Sequence, residues 1–183
     1  MPIVTKVTKN SKSKRPGRGE EKDFDQAMID IARVTRVMAG GKRMRFRACI
    51  VVGDRKGRVG MAVAKGADVT LAVNKAVTKA KKNMITVPII NQTIPHRVDV
   101  KSGAARVMLK PAPKGTGIIA GGAVRAVLDI AGVTNVVAKI LGSSNKINNV
   151  NATLKALQSL KRIEPRKPKL DKKPVEKKDI NQD

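Results

Sequence analysis

The sequence predicts an α+β fold made of two small α/β domains in series. Three observations lead there. Gly40–Gly60, GGKRMRFRACIVVGDRKGRVG, alternates with a period of two between glycine-rich turns. Residues 69–84 switch to apolar positions at helical spacing. Pro88 and Pro95 then interrupt the chain, after which a second hairpin, helix, strand and helix follow. Period two marks half-buried strands, and a 3.6-residue period marks amphipathic helices.

In the first unit, Phe24–Met38 is rich in β-formers (Ile29, Ile31, Val34, Thr35, Val37) with poor alternation, which predicts a strand carrying a bulge. Strands near Lys42–Val52 and Arg58–Lys65 follow. In the earlier of these, Met44, Phe46, Ala48, Ile50 and Val52 are expected to face the core, and Arg43, Arg45 and Arg47 the other side. In the later one, Val59, Met61 and Val63 face the core, and Gly60, Ala62 and Ala64 leave the other face small. Asp68 is placed as the N-cap of a helix whose apolar face is Val69, Val73, Ala76, Val77, Ala80 and Met84. The unit is thus a three-stranded antiparallel sheet with one helix.

The second unit begins beyond a boundary near Thr86–Pro95. Arg97–Ser102 and Arg106–Lys110 flank Gly103 as a hairpin, ended by Pro111 and Pro113. The glycines of Gly115–Gly132 lead into a helix over Gly122–Ala131, apolar at Val124, Val127, Leu128 and Ala131. Val133–Leu141 reads as a buried strand. Asn145 caps a last helix, Lys146–Leu160, with Ile147, Val150, Leu154 and Leu157 on one face. The expected organisation is a flexible basic arm over 1–22, a domain over 23–87, a second domain over 88–160 and a disordered charged tail over 161–183.

Composition narrows the partner. The 183 residues carry 39 Lys+Arg against 14 Asp+Glu, a net +25. The terminal segments hold little of the excess: residues 26–160 contain 23 basic and five acidic residues. So dense a charge on folding sequence repels itself without an anionic partner. A single cysteine, Cys49, permits no intrachain disulfide and suits a reducing cytoplasm. The first residues show no apolar run, which predicts no signal peptide, and no stretch approaches the roughly 20 apolar residues of a membrane span.

Catalytic and cofactor readings fare poorly. Asp30, Asp54, Asp68, Asp99 and Asp129 are the only acids of the middle segment and are scattered singly, whereas acid–base chemistry uses paired groups. His96 and Cys49 stand alone, so no metal ligand set exists and no metal is expected. Gly115-Thr116-Gly117-Ile118-Ile119-Ala120 matches the loose dinucleotide pattern, but Asn135 to Val137 stand where an acid should hold the ribose. No cofactor is expected; the glycines suit close backbone packing against a partner or another element.

The basic groups remain. Arg43, Arg45 and Arg47 share a strand face; Arg55, Lys56 and Arg58 surround one turn; Lys75, Lys79 and Lys82 form a stripe on one helix, with Lys81 nearby. Any single lysine belongs to a solvated face, but this density suits phosphate neutralisation. The chain has two Phe and no Trp or Tyr, hence no platform for stacking single-stranded bases. Structured RNA, read through shape and backbone, fits better.

Gly40-Gly41, IVVGDRKGRVGMAVAKG (50–66), NKAVTKAKKNMI (74–85), GTGIIAGGAVRAVLDIAGVTNVVAKILGSSN (115–145) and NNVNATLKAL then occur in order. These blocks resemble the family of small-subunit ribosomal protein five of bacteria and organelles, over about 28–160. The resemblance implies a first domain similar to the double-stranded-RNA-binding fold and a second with a left-handed crossover. It implies a non-catalytic structural protein of the cytoplasmic ribosome. Such a protein binds small-subunit ribosomal RNA, touches ribosomal proteins four and eight, lines with proteins three and four the path by which messenger RNA enters, and influences translational accuracy.

By the same resemblance, Gly40, Gly41 and Lys42 form the loop reaching into ribosomal RNA, and changes over 36–42 affect the spectinomycin response. Gly117 and Arg125 match accuracy-altering positions at the contact with protein four, where Gly115, Gly117, Gly121 and Gly122 are expected to form a close-packing loop. One departure is Ala62-Val63-Ala64, where many members have a Gly-aromatic-Gly run. The alternative from composition alone is a DNA- or chromatin-type basic protein.

Overall fold

The computed structural model describes residues 24–161. The expected arm and, apart from Lys161, the expected tail lie outside them. The chain is α+β: two four-stranded sheets and three helices over the described residues. The first sheet has the order β1 (Asp25–Met38), β2 (Gly41–Gly53), β3 (Arg58–Gly66), β4 (Met84–Thr86), antiparallel throughout. Helix α1 (Val69–Lys82) connects β3 to β4. The second sheet runs β5 (Val98–Ser102), β6 (Ala105–Pro111), β8 (Val136–Ile140), β7 (Ile118–Ile119). Within it β7 and β8 pair in parallel around α2 (Gly122–Ala131), and α3 (Lys146–Gln158) closes the chain.

The bulge expected in β1 lies between Met28 and Asp30. The β1–β2 turn is Ala39-Gly40, which sets Met38 opposite Gly41 and every partner before it. Strand β3 pairs with β2 only from Phe46 onward. Beyond Phe46 the two longest strands run on as a bare two-stranded ribbon. Its last five residues per strand, Val34–Met38 and Gly41–Arg45, reach roughly 16 Å past the sheet, at about 3.3 Å per residue.

The sheet is covered on both sides. Ala48, Ile50, Val52 and Ala62 pack with Ala72, Ala76 and Ala80 of α1. Val51 and Val59, on the other side, enter the main core with Val124, Val127 and Leu128 of α2 and Val150 and Leu157 of α3. That core spans the two halves, and the connecting Val87 and Ile94 are buried in it. The stretch expected as a boundary is therefore packed structure.

Several expectations change accordingly. A fourth strand, β4, completes the first sheet, and Met84 begins it instead of ending α1. Met44, expected in the core, is 50% exposed, because neither β3 nor α1 reaches the ribbon. Cys49 and Val51, in register with the arginines, are fully buried. The small side of β3 is the seat of α1: a Cβ on Gly60 would lie 2.5 Å from the Ala80 carbonyl oxygen. The close approach explains why α1 buries alanines rather than valines. Residues 133–135 form a loop before β8, and α3 ends at Gln158, short of Leu160. The Asn145 cap is present, its side chain accepting a hydrogen bond from the Ile147 N–H at 3.0 Å.

Candidate nucleic-acid interface

One side of the ribbon carries a row of cations, while Arg33, opposite Phe46, and Lys42, opposite Val37, lie on the other. Directly opposed residues share a face, so β1 contributes Val34 opposite Arg45 and Arg36 opposite Arg43, and β3 contributes Lys65 opposite Arg47. Val34, Thr35, Arg36, Met38, Arg43, Arg45 and Lys65 line a groove of about 250 Å³. None of the ion pairs among the described residues involves Arg36, Arg43, Arg45 or Lys65. Opposed like charges destabilise a strand pair. A guanidinium ladder with no carboxylate partner among the described residues is therefore suited to an anionic ligand.

Arg47 differs. It lies 3.5 Å from Asp30, whose other oxygen takes a hydrogen bond from Lys146 of α3 at 3.2 Å. The Asp30 carboxylate thus ties the hairpin to the last helix at the point where the arginine side passes under the second half. Gly40, Gly41 and Lys42 are exposed at the ribbon tip, beside Val37 at 73% exposure.

Helix α1 presents the expected stripe. Lys75, Lys79 and Lys82 are exposed and, with Asn74 and Thr78, line a shallow depression of about 430 Å³. Lys81 points elsewhere, its ammonium 5.4 Å from the centre of the Phe24 ring. Because α1 covers the side of the sheet carrying Ile50, the lysine stripe and the arginine ladder lie on opposite sides of the first sheet. At the helix start, Asp68 accepts from the Thr70 hydroxyl, which holds its carboxyl below the usual range.

The β2–β3 turn has a structural task. The Asp54 carboxylate accepts from the N–H groups of Lys56 and Arg58 at 2.8 and 3.0 Å and folds the turn. Arg55 N–H and Gly57 N–H then donate to the carbonyls of Ile130 and Ala131, at 3.1 and 2.9 Å. These are last-turn carbonyls of α2, which lack partners inside the helix. The Arg55 side chain pairs with Asp25 and lies 3.9 Å from Asp129, bringing a cation to the negative end of that helix. Lys56 and Arg58 remain exposed.

The second centre leaves three of its four glycines unpacked within this chain. Gly115 and Gly117 take φ of 92° and 74°, and a Cβ on Gly115, Gly117 or Gly122 would meet nothing within 4 Å. Only Gly121 is close to another side chain, the tip of Ile140. Gly115, Gly117 and Gly122 are therefore open within this chain, although Ile118 and Ala120 between them pack on the core, and bare backbone lies beside exposed Lys114, Ile119 and Arg125. The N–H groups of Gly115 and Gly117 both donate to Asn135 Oδ1, at 3.0 and 3.2 Å. A dinucleotide loop needs its amides free for phosphate; here the residue at the ribose-acid spacing consumes two of them.

Cys49 is fully buried, and burial, then the Asp30 charge, push its thiol up to about 11. Among the described residues no three His, Cys, Asp or Glu cluster as a metal site, and no helix is long and apolar enough to cross a membrane.

Residues 24–88 match the ribosomal protein S5 N-terminal domain, and residues 100–170 the ribosomal protein S5 C-terminal domain. The chain belongs to the ribosomal protein S5 family. Small ribosomal subunit protein uS5 of Thermus thermophilus is 52% identical over 141 residues, covering 77% of this chain and 87% of that protein. The uS5c protein of Guillardia theta is 47% identical over 153 residues, covering 83% and 90%. The uS5c protein of Spinacia oleracea is 53% identical over 141 residues, covering 76% of this chain and 46% of that longer protein. S5 is a structural, non-enzymatic family, in keeping with an interface built from cations and bare backbone.

The residues missed in the sequence are Lys65, Asp30 and Asn135, and Arg36, inside the 36–42 stretch singled out by the resemblance, was not placed with the arginine row. A turn placed at Ala39-Gly40 would have revealed Arg36, since it forces Arg36 opposite Arg43. Asn135 had no local signal.

Proposed function

We infer that the chain is a non-catalytic, RNA-binding structural component of the small ribosomal subunit. The observation that carries this reading is the pairing of Arg36 with Arg43 on a projecting ribbon, extended by Arg45 and Lys65 and without a carboxylate partner among the described residues. Duplex RNA offers the complementary feature, phosphates lining a groove a two-stranded ribbon can follow. Gly40, Gly41 and Lys42 at the tip make the deepest contact with small-subunit ribosomal RNA. Lys75, Lys79 and Lys82 meet RNA on the other side of the sheet, with Lys56 and Arg58 at its far end. Arg47 and Arg55 act chiefly by holding the two halves together.

The open loop over Gly115, Gly117, Gly121, Gly122 and Arg125 is the protein-facing side. Its neighbours are ribosomal proteins four and eight, and, with proteins three and four, the chain lines the path of incoming messenger RNA. Translational accuracy is sensitive to that contact. A supporting experiment is sedimentation: the chain stays with small subunits through a high-salt wash. Its complete release, or equal affinity for duplex DNA in competition, would favour a generic basic binder instead.

A further inference from the structure

A chain of hydrogen bonds runs from the segment joining the two halves to the open loop. At Ile90–Thr93 the backbone reverses through Asn91 and Gln92, both at positive φ (50° and 65°), closed by reciprocal bonds between Ile90 and Thr93. Positive φ turns the Gln92 carbonyl toward the α2–β8 loop. That carbonyl accepts three hydrogen bonds, from Thr134 N–H at 3.1 Å, Asn135 N–H at 3.0 Å and the Thr134 hydroxyl at 3.2 Å. The Thr134 oxygen accepts from Asn135 Nδ2 at 3.0 Å. This fixes which end of the amide points away, and Oδ1 faces Gly115 and Gly117. The same turn holds the loop's leading end, where Ala112 N–H donates to the Thr93 hydroxyl at 3.3 Å.

Asn135 is 4% exposed, a degree of burial that obliges its polar atoms to find partners. Both lone-pair directions of Oδ1 are occupied by glycine amides, at the end of the loop that precedes the core-packed Ile118 and Ala120. Gly117 closes the circuit, its carbonyl accepting from Val136 N–H at 3.1 Å.

We propose that Asn135 is the positioning residue of the 114–122 loop, coupling that loop to the Asn91-Gln92 linker turn. The functional importance of the coupling rests on the protein-facing reading of the loop given above; the coupling itself does not. An asparagine is required because the group must accept twice on one side and donate on the other. Aspartate keeps the two acceptors and loses the donor; alanine loses all three contacts.

The test is site-resolved amide hydrogen exchange on the full chain, followed by rebinding to small subunits depleted of this protein with a misreading assay. Asn135→Ala is expected to speed exchange at Gly115 and Gly117 by about ten- to a hundredfold while Gly57 N–H is unchanged. Asn135→Asp is expected to restore most of that protection, a rescue that a general packing role would not produce. Should Asn135→Ala fail to fold, Thr134→Val removes the amide's anchor and one of the three bonds to the Gln92 carbonyl while both backbone donors to that carbonyl remain, and a several-fold faster exchange confined to the same two glycines is expected. Unaltered exchange at Gly115 and Gly117 in whichever variant folds, or equal acceleration throughout, overturns the proposal. Selective acceleration with unchanged rebinding and accuracy upholds the positioning role and refutes the protein-facing reading.

Discussion

Gly132 sits against the carbonyl of Arg55: a Cβ at position 132 would lie 2.1 Å from that oxygen. Gly132 ends α2 in the left-handed region, φ 87°, and its N–H reaches back to Leu128 and Asp129. The β2–β3 turn then donates to the next two carbonyls of the helix. One half of the molecule thus completes a helix end belonging to the other. Gly132→Ala is expected to lose about 2–4 kcal/mol in chemical denaturation, since both the conformation and the contact are violated. Gly103→Ala, left-handed but in open space, is the control, with a loss nearer 1 kcal/mol. Equal losses would mean that the turn yields and the docking is soft.

The same turn separates two kinds of arginine. Arg55→Ala removes pairing with Asp25 and Asp129, all three side chains about half exposed, so the stability cost is about 1 kcal/mol or less. Its effect on affinity for structured RNA is expected to be small. The double replacement of Arg43 and Arg45 by Gln reverses the pattern. Stability holds or rises as the repulsion with Arg36 is relieved. Affinity falls, and the slope of log K against log salt shrinks by about 2, at roughly 0.9 per phosphate contact, the duplex-DNA value. Filter binding across a salt series measures both. An unchanged slope in the double variant would show the ladder to be merely solvated.

Strong local periodicity placed β2, α1, α2 and α3 to within a few residues, and put Arg43, Arg45 and Arg47 on one side of a strand. Alternation says which residues share a side but not what covers it. Arg45 and Val51 have the same parity, yet one stands on a bare ribbon and the other lies under α2, because coverage is a long-range matter. The two-residue β7 is too short for any period, and β4 is hidden beside the end of α1. The turn at Gly53–Gly57 looked like a cationic tip because its charges were visible and its backbone donors were not. Asn135 is a polar residue in an apolar stretch until the fold brings Gly115 and Gly117 to it.

Cys49 offers a chemical readout of the shared core. Its thiol is buried between the Asp30 side of the sheet and the second half, with its pKa raised from the usual 9.0 to about 11. At pH 8 the folded chain is expected to resist a thiol reagent that labels the unfolded chain within minutes. The raised value also sets a sign. The neutral thiol is favoured by the fold, so this stability is complete below pH 9 and is lost as pH rises towards 11. Denaturation at pH 8 and pH 10 should show a larger drop for the natural chain than for Cys49→Ala. Rapid labelling of the native protein would mean that the seam between the halves opens readily.

Gly122→Ala isolates the protein-facing loop from the fold. Gly122 opens α2, a methyl group placed on it would have no neighbour within 4 Å, and its backbone is not left-handed. Alanine favours helix, so stability is expected to hold or rise slightly. A partner pressed against bare backbone would still meet the methyl group. The expected result is an unaltered denaturation midpoint with weaker incorporation into depleted small subunits, or altered misreading once incorporated. Gly117→Arg should disturb the same measurements more strongly, because it also forces a side chain onto a residue at φ 74°. If Gly122→Ala assembles and decodes as the natural chain does, the partner does not approach the helix start. The contact would then fall elsewhere on the loop, at the Gly115–Gly117 backbone or the side chains of Lys114, Ile119 and Arg125.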